Sequence, residues 1–220
     1  IPPFDFIPIA EETGLINEIG EWVLLQACRD AAKWPAHIKV AVNLSVVQFR
    51  NTSFPLHIVN ALQKSGLAPG RLELEITESL LIERPDDVLA TLMRLKELGV
   101  SIAMDDFGTG YSSLSYLLKF PFDKIKIDKS FISAIDHDKA ACDVLRTIGS
   151  LGKTLGIRIT AEGVETEEQV AFLRAIACDQ LQGFFFAKPL HSEGVASFLL
   201  ANAAQRLKNV NNEAPANKAA

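Results

Sequence analysis

Leu72-Glu73-Leu74-Glu75-Ile76-Thr77-Glu78 alternates apolar and polar residues at strict period two. A β-strand sends successive side chains to opposite faces, so Leu72, Leu74 and Ile76 share one face and Glu73, Glu75 and Thr77 the other. The same division recurs along the chain. Val40, Val42 and Leu44 alternate with Ala41, Asn43 and Ser45; Ile125 and Ile127 with Lys124, Lys126 and Asp128; Ile157, Ile159 and Ala161 with Arg158, Thr160 and Glu162. Strands are predicted over Ile38–Ser45, Leu72–Glu78, Val100–Phe107, Asp123–Lys129, Ile157–Gly163 and Leu181–Ala187, with helical periods between them. Successive β-then-α units imply a parallel sheet. Doubly wound sheets are buried on both sides and read as continuous apolar runs, whereas these strands carry a polar face that turns inward. The fold class is therefore α/β, a TIM-like β/α barrel, whose active sites gather at the strand C-termini. Six strands fall short of eight, and the expectation is that the N-terminal strand or strands lie upstream of Ile1.

Helix signals support this division. Pro85-Asp86-Asp87 opens a helix that stops at Gly99, and Thr166 to Gln169 forms a capping box. Ser192 is read as the cap of the last helix. A barrel domain is expected over residues 1–206, followed by a disordered, Asn- and Ala-rich tail over 207–220.

Composition narrows the function. The 220 residues carry 22 Lys and Arg against 27 Asp and Glu, a formal charge of −5, so no global positive field exists to hold a nucleic-acid polymer. Three cysteines, Cys28, Cys142 and Cys178, form no C-x-x-C or Cys/His cluster and are read as small buried residues in a reducing compartment. No apolar run is long enough for a membrane span. A soluble, cytoplasmic segment without membrane contact is expected, leaving open that it is the cytoplasmic part of a membrane-anchored signalling protein.

Asn43, Glu75, Asp105, Lys126, Glu162 and Gln182 fall at or near the ends of the six predicted strands, where a barrel would bring them around one mouth. Singly, each carboxylate is equally well a helix N-cap or a solvated loop group, and Lys126 a surface ion-pair partner. Their coincidence at six strand ends is what points to a site. Asn and carboxylates are hard oxygen ligands suited to Mg²⁺ or Mn²⁺. Asp105-Asp106 can supply a carboxylate bridging two ions, the usual clamp for displacement at phosphorus. Phe107-Gly108-Thr109-Gly110-Tyr111-Ser112-Ser113 reads as a strand-to-helix connection or, alternatively, a lid. Phe184-Phe185-Phe186 reads as core in preference to a base-stacking platform.

Ile1-Pro2-Pro3, Phe6 to Gly14, Asn43-Leu44-Ser45, Glu73 to Glu78, Asp105 to Gly110, Lys126-Ile127-Asp128, Ala161 to Glu165, Gln182-Gly183 and Ala187 to Leu190 together resemble the EAL domain, a family of phosphodiesterases that open the bacterial second messenger cyclic di-GMP to linear pGpG. The resemblance implies a barrel with one antiparallel strand and two Mg²⁺ or Mn²⁺ ions. It implies Asn43, Glu75, Asp105, Asp106 and Glu162 as metal ligands, with Asp105 bridging. Lys126 would orient the attacking water, with Glu162 as an alternative general base, and Gln182 would stand near that water and the substrate. Glu78 would anchor the Asp105–Ser113 loop, which in the family links dimerisation to activity, and Glu165 would line the site wall. A homodimer and upstream sensory or GGDEF domains are implied too. The Glu-Ala-Leu signature, with one metal ligand and a substrate-contacting arginine, would lie ahead of Ile1, so turnover by this segment alone is left open. A catalytically silent cyclic di-GMP receptor is the alternative.

Overall fold

The computed structural model describes residues 1–83, 85–108 and 114–213. Helices α1 (Pro3–Thr13) and α2 (Ile16–Ala32) precede the first strand. There follow β1 (Val40–Asn43), α3 (Val46–Phe49), α4 (Phe54–Ser65), β2 (Leu72–Thr77), α5 (Ser79–Glu83), α6 (Pro85–Glu97) and β3 (Ser101–Phe107). The chain continues through α7 (Leu114–Lys119), β4 (Lys124–Ile127), α8 (Lys129–Ser133), α9 (Lys139–Leu155), β5 (Arg158–Ala161), α10 (Glu167–Ala175), β6 (Gln180–Leu181) and α11 (Ser192–Glu213).

Every neighbouring strand pair is parallel, and the order is sequential from β1 to β6. A doubly wound sheet reverses its order part-way and takes helices on both faces. Unbroken sequential order instead sends each right-handed crossover over the same face. The sheet is therefore the curved wall of a TIM-like β/α barrel, helices outside and the polar face within, as the period-two pattern predicts.

Register aligns the apolar faces. Leu74 stands opposite both Val42 and Ile102, and Ile125 opposite both Met104 and Ile159. These residues form one core with Ile58 of α4, Leu92 and Leu95 of α6, and Leu145 of α9. Each fully buried Leu or Ile contributes about 1.5–3 kcal/mol. Local signals set the helix ends: Asp138 accepts from the Ala140 and Ala141 amides to start α9, and Thr166 and Gln169 close the expected capping box on α10.

Three features depart from the sequence reading. Strand β6 spans only Gln180–Leu181, not Leu181–Ala187, because the backbone turns at Gly183 and Phe186 N–H bonds the Gly183 carbonyl. Phe184, Phe185 and Phe186 are 59%, 44% and 45% exposed and so are not core. The chain divides into compact units at Phe186, and in the second unit α11 continues past residue 206 into the stretch expected to be disordered. Among the described residues no helix is long and apolar enough to cross a membrane.

Candidate functional site

The polar face of the sheet carries two layers of charge. In the deeper one, Lys124 Nζ lies 2.5 Å from Glu73 Oε1, both residues buried, and Glu73 Oε2 has no hydrogen-bond partner among the described residues. Period two places the next layer one residue pair further along each strand, at the C-terminal mouth. There Lys126 Nζ lies 2.6 Å from Glu75 Oε2, 3.0 Å from Asp105 Oδ1 and 2.7 Å from Glu162 Oε1. Asn43, level with Glu75 across the β1–β2 ladder, turns its amide nitrogen to donate to Asp105 Oδ2 at 3.0 Å and Glu75 Oε2 at 3.1 Å. Glu162 follows β5 directly, its N–H donating to the Ile127 carbonyl of β4, which fixes it beside Lys126.

Adjacent residues of a regular strand point to opposite faces, yet Asp105 and Asp106 both serve this mouth. The β3–β4 register shifts between Met104 and Phe107, and Asp106 adopts φ +53°. Asp tolerates this left-handed conformation better than most residues. The irregularity swings Asp106 around, so that Asp105, Asp106 and Glu162 offer carboxylate oxygens within 4.8 Å of one another. Glycines accommodate the turns on either side. Gly108 has φ +96° and any Cβ there would strike the Phe131 ring; Gly163 has φ +68° and any Cβ would strike Lys129.

The electrostatics follow from burial. Burial raises the pKa of Glu75, and Lys126 opposes it. Burial also raises Glu162, again against Lys126, and raises Asp106, with Asp105 adding to the effect. Burial alone would lower Lys126, but Glu75, Glu162 and Asp105 outweigh it and hold the ammonium above its ordinary value. One ammonium faces four carboxylates. Such an excess is costly to hold in a largely buried site without further cations. The donor set is all hard oxygen, with Asn43 able to present its carbonyl once the amide turns, and fits Mg²⁺ or Mn²⁺ in preference to a softer metal.

Not every expected residue joins this cluster. Gln182 is exposed just past β6; its backbone bonds Ala161 and Val164, and its side chain makes no hydrogen bond to the cluster. Glu165 is exposed ahead of α10. Glu78 is buried at the end of β2, with Oε2 lacking a hydrogen-bond partner among the described residues. The loop it was expected to anchor runs into Thr109–Ser113, which lie outside the described residues, as does any lid there. The Glu73–Lys124 layer was given no role by the sequence reading, although the alternation of both strands pointed its members inward.

A sequentially ordered parallel sheet with hard-oxygen ligands converging at its C-terminal mouth defines a β/α-barrel domain with a candidate divalent-cation centre. The EAL domain family matches residues 1–189, and the chain belongs to that family. An uncharacterized signaling protein of Caulobacter vibrioides is 54% identical over 189 residues, covering 86% of this chain and 23% of that protein. MucR of Pseudomonas aeruginosa, a bifunctional diguanylate cyclase/cyclic di-GMP phosphodiesterase, is 45% identical over 197 residues, covering 88% of this chain and 29% of that protein. The structure of the PaMucR phosphodiesterase in complex with c-di-GMP superposes with a TM-score of 0.85 at 45% identity, covering 89% of this chain and 81% of that one. BlrP1 of Klebsiella pneumoniae, in a complex with manganese and cy-diGMP, superposes with a TM-score of 0.75 at 29% identity, covering 80% of this chain and 45% of that one. The chain spans about a quarter of the length of the curated relatives it matches.

Proposed function

We propose that the chain is a cyclic di-GMP phosphodiesterase domain acting with two Mg²⁺ or Mn²⁺ ions. The observation that carries the reading is the convergence of Asn43, Glu75, Asp105, Asp106 and Glu162 around Lys126, in a chain that resembles the c-di-GMP-bound MucR phosphodiesterase. Asn43, Glu75 and Asp105 would hold one ion, and Asp105, Asp106 and Glu162 the other. When bound, the ions supply Lewis acidity, neutralise phosphate charge and bring the pKa of a bound water toward neutrality.

The chain's own residues do the rest. Hydrolysis joins a water oxygen to phosphorus, breaks the P–O3′ bond and leaves linear pGpG with a free 3′ hydroxyl. Lys126 would orient the water and offset negative charge developing on the phosphoryl oxygens. As an alternative to its role as a ligand, Glu162 would accept the water's proton. Gln182 and Glu165, exposed at the rim, would meet the nucleotide, and Glu78 would hold the loop after Asp106. A homodimer belongs to the same reading. Further domains of sensory or GGDEF type and a cytoplasmic location belong to the same reading, since the relatives are much longer.

The test is chromatography of cyclic di-GMP incubated with Mg²⁺ or Mn²⁺ and the chain, both alone and fused behind a Glu-Ala-Leu segment taken from a relative. Appearance of pGpG with either form supports the enzyme. Bound but intact ligand with both forms would establish a receptor instead.

A further inference from the structure

Helix α8 begins directly after β4 and so stands between the exits of β3 and β5, the strands that flank β4 in the sheet. Those exits carry Asp106 and Glu162. The start of α8 is fixed twice: the Asp128 carboxylate accepts from the Ser130 amide, and Phe131 N–H donates to the Asp128 carbonyl. Residues 129 and 131 are two apart, which turns their side chains roughly 200° from each other around the helix axis. Each meets a different exit. An ideal Cβ at Gly108 would stand 2.7 Å from Phe131 Cε2 and 2.9 Å from its Cζ; one at Gly163 would stand 2.5 Å from Lys129 Cβ. Real Cβ atoms do not come so close, so both turns lean bare backbone on the first turn of α8. Gly108 is two residues after Asp106, and Gly163 follows Glu162 directly. Both exits also share one backbone anchor below the helix: Phe107 pairs with Ile127 across the ladder, and Glu162 N–H donates to the Ile127 carbonyl.

We infer that Phe131 is a positioning residue: with Lys129 it makes the first turn of α8 a spacer that sets the separation of the Asp106 and Glu162 carboxylates. Phe131 is half-buried against the core and has no polar side-chain atom, so its effect on the site is geometric. A set of ligands works only when held within roughly 0.5 Å of the geometry its ion requires. Asp105, Asp106 and Glu162 bring their oxygens within 4.8 Å of one another from two strands that are not neighbours, and α8 is what fills the gap between the two exits. The consequence for a bound cation rests on the phosphodiesterase reading; the spacing does not.

The test compares Phe131→Ala and the milder Phe131→Leu with Ile58→Ala, a truncation in the core on α4 that loses stability without touching the spacer. In the metal-free chain, ¹H–¹⁵N spectra should show both Phe131 variants moving the amides of Glu162 and Gly163, across the helix from the substituted ring, together with those of Asp106 and Gly108. Ile58→Ala should leave all four in place. Calorimetric titration should then show Mn²⁺ binding weakened by about tenfold or more in Phe131→Ala, the scale seen when the support behind a metal ligand is removed. Phe131→Leu should lose less, and Ile58→Ala should stay within about twofold. Adding Asp106→Asn to Phe131→Ala should cost less than the two single losses combined, because both act through one ligand. Each variant's own amide spectrum shows whether it is folded, and Phe131→Leu carries the test if Phe131→Ala is not. Glu162 and Gly163 amides that do not move, or an Mn²⁺ affinity that falls as far in Ile58→Ala as in Phe131→Ala, would overturn the proposal. A wild-type chain that takes up no Mn²⁺ while the amide shifts are present would count against the cation centre and still support the spacer, so failure of one reading is distinguishable from failure of the other.

Discussion

Lys126 and Glu162 form a 2.7 Å ion pair at the barrel mouth, with Lys126 side-chain exposure of only 5%. The same ammonium also reaches Glu75 and Asp105, so one cation is shared by three carboxylates. Removing one partner of a buried ion pair typically costs about 3–5 kcal/mol.

Lys126→Met should therefore lower the melting temperature of the metal-free chain, at roughly 2–4 °C per kcal/mol for a domain of this size. Added Mn²⁺ should raise it by more than in the wild type, since the freed carboxylates gain a replacement cation. Thermal melts with and without Mn²⁺ check this. An unchanged metal-free melting temperature would contradict the assignment.

Asp106 is held in a left-handed conformation, and burial together with the Asp105 charge raises its pKa, an environment that a bound cation would relieve. Asp106→Asn keeps a side chain that tolerates this backbone and removes the repulsion. It should raise the metal-free melting temperature by about 2–4 °C, equivalent to about 1 kcal/mol. Calorimetric titration should show weaker Mn²⁺ binding by at least about tenfold, a loss on the order of 1.4 kcal/mol. Stabilisation with undiminished Mn²⁺ affinity would remove Asp106 from the ligand set.

These two residues also show how far the sequence could be read. Alternation around Glu75 and Lys126 put both on the inner face, and the strand ends placed them at one mouth. Alternation names a face, however, and gives no depth or partner, so the Lys124–Glu73 layer carried no signal separating it from the site above. The shift that brings Asp106 beside Asp105 depends on how β3 meets β4, a pairing outside either strand's own pattern. Phe184–Phe186 read as core because aromatic runs usually are, whereas the turn at Gly183 carries them outward.

The deeper layer gives a separate test. Lys124→Met leaves Glu73 buried without its cation and should destabilise by about 3–5 kcal/mol, while Glu73→Leu with Lys124→Met together should recover most of that loss. Urea melts of the two single variants and the double variant check this, and Mn²⁺ affinity should stay within about twofold for the double variant, under 0.5 kcal/mol. A double variant as unstable as the worse single one would show that the layer is not an isolated pair.

Cys28 is fully buried, and burial pushes its thiol up to about 11. An unfolded thiol ionises near 8.5. The folded state therefore keeps its proton longer, and the resulting stability is present below about pH 8.5 and declines as pH rises toward about 11. Urea melts at pH 8 and pH 10.5 should show the stability difference between wild type and Cys28→Ala shrinking at the higher pH, by at most about 3 kcal/mol. A constant difference would mean that the thiol is solvated in the folded chain.

The central claim is that the cluster around Lys126 is a phosphodiesterase centre. Its most direct test is the rate of pGpG formation from cyclic di-GMP by the chain fused behind a Glu-Ala-Leu segment, with Mn²⁺, compared with the same protein carrying Glu75→Ala. The account predicts metal-dependent product from the first and a loss of at least about a hundredfold in the second, or on the order of 3 kcal/mol of transition-state stabilisation. Equal rates from the two would contradict it.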